Sequence, residues 1–119
     1  MSQTRSQHGR ILRLAAVFLC FTAMQAEVIA SDDEAPSPQR SAELLTLLKH
    51  DCGSCHGMTM KGGLGPSLRP SDLAGKPESA LIEAVLAGRD GTPMPPWRGL
   101  ISEREARWLI RALKMGEMQ

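Results

Sequence analysis

The segment Cys52-Gly53-Ser54-Cys55-His56 constrains this chain more than any other part of its sequence. Two thiols three positions apart, followed directly by a histidine, have the spacing at which haem is attached covalently to protein. Near the end of a helix, both thiols can form thioethers to vinyl-derived carbons of one porphyrin, and the histidine then lies under the iron. We therefore predict that Cys52 and Cys55 anchor a haem and that His56 is its proximal ligand.

Two other kinds of site use paired cysteines, a zinc site and a thiol redox couple. A structural zinc site needs four ligands, and beyond the first 30 residues only His50 adds a His or Cys to the motif. A redox couple is expected next to a strand, and no run of β-branched and aromatic residues flanks the motif. Haem attachment is the favoured interpretation, with a redox couple or a chance match as the alternative. His50 is expected at the surface near a helix end, not on a metal.

The N-terminal 30 residues have the pattern of a secretory signal peptide. The positively charged region contains Arg5, Arg10 and Arg13. An apolar run over residues 14–24 follows, and a small-residue cleavage site ends at Ala30. The run is shorter than the ~20 residues that span a bilayer as a helix. Because attachment of haem to C-x-x-C-H occurs outside the cytoplasm, we predict a cleaved signal, 1–30, and a periplasmic protein with no membrane span after cleavage. A retained N-terminal anchor is the alternative.

Cleavage would leave one small domain. Residues 31–38 are acidic and contain prolines without apolar periodicity, which predicts a disordered leader. Residues 39–119 form the predicted domain, in which Trp97 and Trp108 are the only aromatic side chains apart from histidine. A domain of this size has a marginal core and usually needs a metal, disulfides or a cofactor. We therefore expect the protein without haem to be poorly folded.

Charge excludes one class of function. The formal net charge of the full chain is +1 at pH 7, with no basic stretch of the kind that binds nucleic acid. Nucleic acid is therefore not an expected partner.

The first predicted helix precedes and enters the C-x-x-C-H motif. It begins at Ser37-Pro38 or at Ser41. Its apolar side chains recur at spacings of three and four residues, at Leu44, Leu47, Leu48 and Cys52. This face is expected to carry the first attachment cysteine into the core.

Two more helices are predicted in the C-terminal half. The second begins at Pro77, which suits a first helical position, and ends at Gly88. The third has a capping box from Ser102 to Glu105 and ends at Gly116. Their apolar faces contain Leu81, Ile82, Val85 and Leu86 in the second helix, and Ala106, Leu109, Ile110 and Leu113 in the third. The solvated side of the third helix is assigned to Arg104, Arg107, Arg111 and Lys114.

The segment 57–70 is rich in glycine and has no apolar period. An ordinary surface loop would explain this composition. Glycine also lets backbone pass close to a flat macrocycle. A ligating histidine needs its second ring nitrogen held, usually by a carbonyl or carboxylate. Pro66 is the candidate for presenting that carbonyl to His56.

A methionine lies between prolines in the segment 91–97. This segment contains too much proline for a helix and is therefore stiff, as a weak thioether ligand requires. The alternative is a loop methionine that fills space. Met58 and Met60 follow His56 by two and four residues, which is at most ~7 to 14 Å of chain to pass round the macrocycle rim. We therefore predict that Met94 is the sixth ligand.

Trp97 follows two prolines that fix its direction. A buried tryptophan needs a partner for its single N–H donor, and haem supplies propionate carboxylates. We predict that Trp97 lies beside the haem and donates to a propionate. A half-exposed tryptophan on the loop surface is the alternative.

The C-x-x-C-H motif, the glycine-rich segment after it, the Met-Pro-Pro-Trp segment and the capped last helix together resemble the motifs of the small class I c-type cytochromes. Within that class, the compact spacing and the Met-Pro-Pro-Trp segment are similar to the NirC-type cytochromes found with haem-cd nitrite reductase in denitrifying bacteria. The resemblance covers residues 41–115. It implies an all-α class I cytochrome c fold, with three to five helices and glycine- and proline-rich loops around one covalently bound haem c. One departure is that Ala42 and Leu48 stand where family members often have a glycine and an aromatic residue, which leaves the packing of the first helix against the last in question.

The resemblance also implies a function. His56 and Met94 would fill both axial positions, which leaves no open site on the iron and favours a monomeric one-electron carrier over an enzyme. The implied partner is haem-cd nitrite reductase or an enzyme of haem d maturation. The charges around the docking face would be Lys61, Arg69 and Arg98. The alternatives are a haem-based ligand binder and a structural or assembly subunit in which the haem mainly stabilises the fold.

Overall fold

The computed structural model describes residues 34–117, and the predicted signal peptide, 1–30, lies outside these residues. Within the described range every regular element is helical and none is a strand. This confirms the prediction of an all-α fold. No helix in residues 34–117 is long and apolar enough to cross a membrane.

Helix α1, Pro38–Leu47, begins at the first of the two predicted starts. The side chain of Ser37 accepts a hydrogen bond from the backbone N–H of Arg40, and Pro38 occupies the first turn, where its missing N–H costs nothing. Leu44 and Leu48 are buried, as the apolar period predicts, with Leu47 packed at the edge of the core.

The chain continues from α1 through a π-helical turn, Leu48–Cys52, directly into the short helix α2, Gly53–His56. The N–H of Gly53 donates to the carbonyl of Leu48, five residues earlier instead of four. This wider turn changes the register of the helix, so that Gly53 is buried and Cys52 is only half-buried. The spacings of three and four residues predict a regular α-helix as far as Cys52, so the shift that the π-helical turn introduces is not predicted from the sequence.

Helix α3, Pro70–Leu73, was not predicted, because it is one turn long and follows the glycine-rich segment. Pro70 lies at its start, and Leu73 is buried in the core. The hydroxyl of Ser67 donates to the carboxylate of Asp72 at 2.6 Å, which ties α3 to the loop before it. This hydrogen bond is the main reason that the pKa of Asp72 is lowered.

Helices α4, Glu78–Ala87, and α5, Glu103–Met115, confirm the second and third predicted helices. Pro77 is the residue that precedes α4 and not its first residue, one position from the prediction. Gly88 ends α4, while the capping box between Ser102 and Glu105 begins α5.

Two of the four basic residues predicted on the solvated side of α5 bind neighbouring elements. Arg104 is exposed. Arg111, however, pairs with Glu78 of α4 at 3.2 Å. Lys114 donates to the carbonyl of Lys76 at 2.8 Å. These two side chains therefore tie α5 to the neighbouring elements.

One hydrophobic core joins α1, α4 and α5. Leu44 of α1 and Ala106 of α5 are completely buried, and α1 packs directly on α5. Leu48 is a core residue, whereas Ala42 is exposed. The first and last helices therefore pack together without the glycine and the aromatic residue that the family often places there. Arg40 of α1 also forms an ion pair with Glu105 of α5.

Candidate functional site

The two motif cysteines lie at the junction of the π-helical turn and α2. Neither thiol forms a disulfide, and both are half-buried. Burial, followed by the charge of Asp51, raises the pKa of Cys52 to about 11. The Cys52 thiol is therefore protonated at neutral pH. Cys52 also packs against the hydrophobic core, so a group bonded to its sulfur would lie at the margin of that core.

His56 is held by the loop that follows the motif. Its Nδ1 lies 2.6 Å from the carbonyl oxygen of Pro66. A carbonyl can only accept, so Nδ1 is the donor and carries the proton. In the neutral imidazole this tautomer leaves the lone pair on Nε2, the arrangement in which an imidazole binds iron. The structure thus brings together the two residues that the sequence analysis paired.

Glycine in this loop allows the backbone to lie directly against α2. A Cβ at Gly65 would be 2.8 Å from Cε1 and 2.9 Å from Nδ1 of His56. A Cβ at Gly63 would be 2.8 Å from the carbonyl oxygen of Cys55. That same carbonyl accepts the N–H of Gly65 at 2.8 Å. Close approach of this backbone to a macrocycle stays a prediction, and in the structure Gly63 and Gly65 already lie against the motif itself.

Met58 and Met60 have different surroundings. Met58 is 50% exposed, while Met60 is 1% exposed and belongs to the core. Met60 also has φ 55°, a left-handed conformation that side chains rarely adopt. Its carbonyl accepts the N–H of Leu68 at 2.9 Å, which helps to hold that conformation. Burial of Met60 could not be inferred from a polar, glycine-rich segment, because methionine fits gaps of many shapes.

Met94 is half-buried in a loop that folds back on the end of α4. The N–H of Trp97 donates to the carbonyl of Val85, and that of Arg98 to Leu86, both at 3.2 Å. These carbonyls are at the C-terminal end of α4, where a helix has no partners of its own for them. Trp97 is half-buried and packs against the core, as do Val85 and Cys52.

The three cations expected around the docking face differ in their pairing. Arg69 lies 3.3 Å from Asp72, and Arg98 lies 3.3 Å from Glu83. Lys61 is exposed and forms no ion pair with another of the described residues. The positive charge of Lys61 is therefore the least compensated of the three.

The donor set of this site fits haem better than a bare metal ion. Within residues 34–117, no three His, Cys, Asp or Glu side chains form a group that could hold a metal ion. Two unpaired thiols and an imidazole with its Nδ1 already engaged are instead the groups needed for two thioethers and one axial bond.

Comparisons with known proteins agree with this assignment. The family described as "Cytochrome C oxidase, cbb3-type, subunit III" matches residues 40–111. Cytochrome c55X of Pseudomonas aeruginosa is 48% identical over 113 residues, which cover 95% of this chain and 90% of that protein. Cytochrome c55X of Stutzerimonas stutzeri is 50% identical over 116 residues, covering 98% of this chain and 96% of the relative.

A solved structure extends the likeness to the fold. The c-type cytochrome NirC has a TM-score of 0.68 and 53% identity, covering 70% of this chain and 98% of NirC. The all-α class I cytochrome fold is thereby confirmed. A more local match is to dihydro-heme d1 dehydrogenase of Pseudomonas aeruginosa, with 33% identity over 67 residues, 56% of this chain and 14% of that protein. On the strength of the motif, the fold and these relatives, this chain belongs to the family of c-type cytochromes that includes cytochrome c55X and NirC, electron carriers with covalently bound haem c.

Proposed function

We propose that this protein is a periplasmic one-electron carrier with a single haem c, ligated by His56 and Met94, that serves the nitrite reductase system of denitrification. The observation that carries the proposal is the 2.6 Å contact between Nδ1 of His56 and the carbonyl of Pro66. This contact fixes the orientation of the ring through Nδ1, so that Nε2 can serve as the axial ligand. Export by a cleaved signal peptide, 1–30, is part of the proposal, as is an acidic disordered leader, 31–38, in front of the haem domain, 39–119.

Each site residue has a defined role in this proposal. Cys52 and Cys55 hold the haem, and Pro66 orients His56 and raises the basicity of its Nε2. Haem c supplies a redox centre that gains and loses one electron. A His/Met pair favours the reduced state relative to two nitrogen ligands. Trp97 would direct its indole N–H to a propionate.

The partner is proposed from the relatives. One of them is named c-type cytochrome NirC, the type that the sequence motifs resemble, and another is named dihydro-heme d1 dehydrogenase, after a haem d1 compound. We propose haem-cd nitrite reductase, or an enzyme of haem d maturation, as the protein that exchanges electrons with this cytochrome.

The proposed docking face is the loop after the motif. Met58 is 50% and Leu64 is 78% exposed, and Lys61 lies between them in the sequence. Electron-transfer contacts are small and transient, and charges at their edge influence the rate of encounter more than the affinity. Lys61, which has no ion-pair partner among the described residues, is expected to contribute more to this rate than Arg69 or Arg98.

Ligation is tested on the oxidised holoprotein. We expect the weak far-red absorption of a sulfur-to-iron bond, and we expect Met94→Ala to abolish it. Met58→Ala is the matched control and should leave the band intact. Persistence of the band in Met94→Ala would falsify ligation by Met94.

The role as a carrier is tested by mixing the reduced holoprotein with haem-cd nitrite reductase and following its oxidation. Oxidation should be rapid and should slow with added salt and with Lys61→Glu. Arg104→Glu, which changes an exposed cation on α5, is the control and should have the smaller effect. If only an enzyme of haem d maturation exchanges electrons, the carrier role stands and the assignment to nitrite reductase fails. If neither does, an assembly subunit is the better explanation.

A further inference from the structure

The backbone of Met94 is fixed at both of its polar groups. Its carbonyl accepts the N–H of Arg89 at 3.2 Å. Its N–H donates to Oγ1 of Thr92 at 3.3 Å. Met94 is therefore bonded to its own loop on both sides of its Cα atom.

Thr92 is itself fixed to Arg89, the residue whose N–H donates to Met94. Its hydroxyl donates to the carbonyl of Arg89 at 2.7 Å, and its N–H approaches that carbonyl at 3.1 Å. Since this one hydroxyl donates to Arg89 and accepts from Met94, it links the start of the loop to the residue that carries the thioether.

Gly88 lets this loop lie against the end of α4. Its φ is 73°, and a Cβ there would be 2.8 Å from the Met94 oxygen, from the carbonyl carbon of Pro95 and from the nitrogen of Pro96. All three are backbone atoms, which cannot move aside as the end of a flexible side chain can. A side chain at position 88 would therefore displace the segment that contains Met94.

We propose that Gly88 and Thr92 are positioning residues for Met94, which keep its thioether on the iron. The inference rests on the proposed ligation of iron by Met94. A thioether is a weak ligand, so its residence on iron depends on how strongly the loop opposes its departure. An external ligand can bind only when Met94 has left, and its apparent affinity therefore measures the fraction of protein with a displaced Met94.

The probe is imidazole, titrated into the oxidised holoprotein and followed by its absorption spectrum. Thr92→Val keeps the shape of the side chain and removes the hydroxyl together with both of its hydrogen bonds. It should tighten apparent imidazole binding by about fivefold or more, since one hydrogen bond alone accounts for about fivefold. Thr92→Ser keeps the hydroxyl and should remain within about twofold of the unmodified protein.

Gly88→Ala should tighten imidazole binding by about tenfold or more, because the loop backbone must move. Gly91→Ala is the matched control. Gly91 also has a positive φ, 72°, but a Cβ there would meet no atom within 4 Å. It therefore introduces a comparable backbone strain without contact to Met94, and should change binding less.

Two results would overturn the proposal. One is equal tightening by Gly88→Ala and Gly91→Ala. The other is a Thr92→Val protein that unfolds at lower temperature but binds imidazole like the unmodified protein, since the hydroxyl would then stabilise the fold in general. If Gly88→Ala does not fold, the comparison of Thr92→Val with Thr92→Ser still tests the proposal.

Met94→Ala separates this inference from the ligation on which it rests. Loss of the far-red band with tighter imidazole binding supports ligation, whatever the Gly88 and Thr92 variants show. An unchanged spectrum and an unchanged affinity for imidazole would mean that ligation itself fails, and the positioning roles with it.

Discussion

The orientation of His56 depends on two adjacent residues that act in different ways. Pro66 offers a carbonyl to Nδ1, and Gly65 has no side chain to occupy the space of the ring. Gly65 has no positive φ, so its importance comes from contact and not from backbone strain. An imidazole held in this way cannot rotate without breaking its hydrogen bond.

Gly65→Ala is expected to weaken this arrangement. The added Cβ would lie 2.8 Å from the ring, so the ring must move and the bond to Pro66 must lengthen. Overpacking of this kind costs about 1 to 3 kcal/mol of stability. A weaker hydrogen bond makes His56 a less basic ligand, so the reduction potential should rise. Redox titration and denaturant unfolding of the holoprotein measure the two effects.

Gly75→Ala is the control for this change, because a Cβ at Gly75 would meet nothing within 4 Å. It should leave both potential and stability close to those of the unmodified protein. If Gly65→Ala and Gly75→Ala have the same potential, the proposed support of His56 by Gly65 is wrong.

Among the helices, α1 and α5 are joined by one carboxylate that has two roles. Oε1 of Glu105 accepts from Nε of Arg40, and Oε2 accepts the N–H of Ser102 at 2.7 Å. The hydrogen bond from Arg40 is the main reason that the pKa of Glu105 falls to about 2. Glu105 thus caps the N-terminus of α5 and also holds this helix to α1.

This lowered pKa predicts a window of acid sensitivity. The unfolded chain has the ordinary pKa of 4.5 at this position, and the folded chain has about 2. The stabilisation is therefore complete above about pH 4.5 and is lost as the pH falls toward 2. Glu105→Gln keeps an N3 side chain that can complete the capping box and removes the charge. At pH 7 we expect a loss of about 1 kcal/mol, a value reduced by the partial exposure of Arg40.

Urea unfolding at pH 7 and at pH 3 measures this effect. The difference between Glu105→Gln and the unmodified protein should shrink at the lower pH. Glu103→Gln, which removes an exposed pair with Arg107 within α5, is the control and should cost less at pH 7. Asp72, whose pKa is also lowered, leaves some acid sensitivity in every variant. A constant difference at both pH values would contradict the assignment to Glu105.

For the whole molecule, the hydrophobic core has a partly exposed margin. Six apolar side chains pack against the buried core but are themselves only partly buried: Leu47, Cys52, Leu68, Val85, Trp97 and Trp108. A small domain buries a smaller share of its surface than a large one. A haem bonded to Cys52 and Cys55 would cover apolar surface at this margin and link it to the helices.

The protein without haem is therefore expected to be less stable and less helical. Cys52→Ser combined with Cys55→Ser prevents attachment. Far-ultraviolet circular dichroism should show a loss of helix, and the urea midpoint should fall. Ser54→Ala, within the same motif, keeps both thiols and should leave the midpoint near that of the holoprotein. Equal midpoints for the double variant and the holoprotein would show that haem does not stabilise this fold.

Local signals in the sequence determined where the main helices begin and end. Ser37, the pair Ser102 and Glu105, and Gly88 act on backbone groups within a few residues, so their neighbours in the chain suffice to predict them. The C-x-x-C-H spacing is local as well, and it was enough to predict the cofactor. The class of fold was predicted from the resemblance that this motif carries together with the Met-Pro-Pro-Trp segment and the capped last helix. The boundaries of the main helices and the haem-attachment motif can therefore be predicted from short segments of the sequence.

The tertiary structure decided what depends on contacts between distant segments. The π-helical turn that buries Gly53, the burial of Met60 and the pairing of Glu105 with Arg40 could not be inferred from spacing. Each depends on which surface of another element comes to lie against the residue, and hydrophobic packing is not directional enough for a local pattern to specify that surface. The sequence by itself determined the three longer helices and the motif, whereas helix α3, the register of Cys52 and the close contact of Gly65 with His56 were decided only when the chain packed.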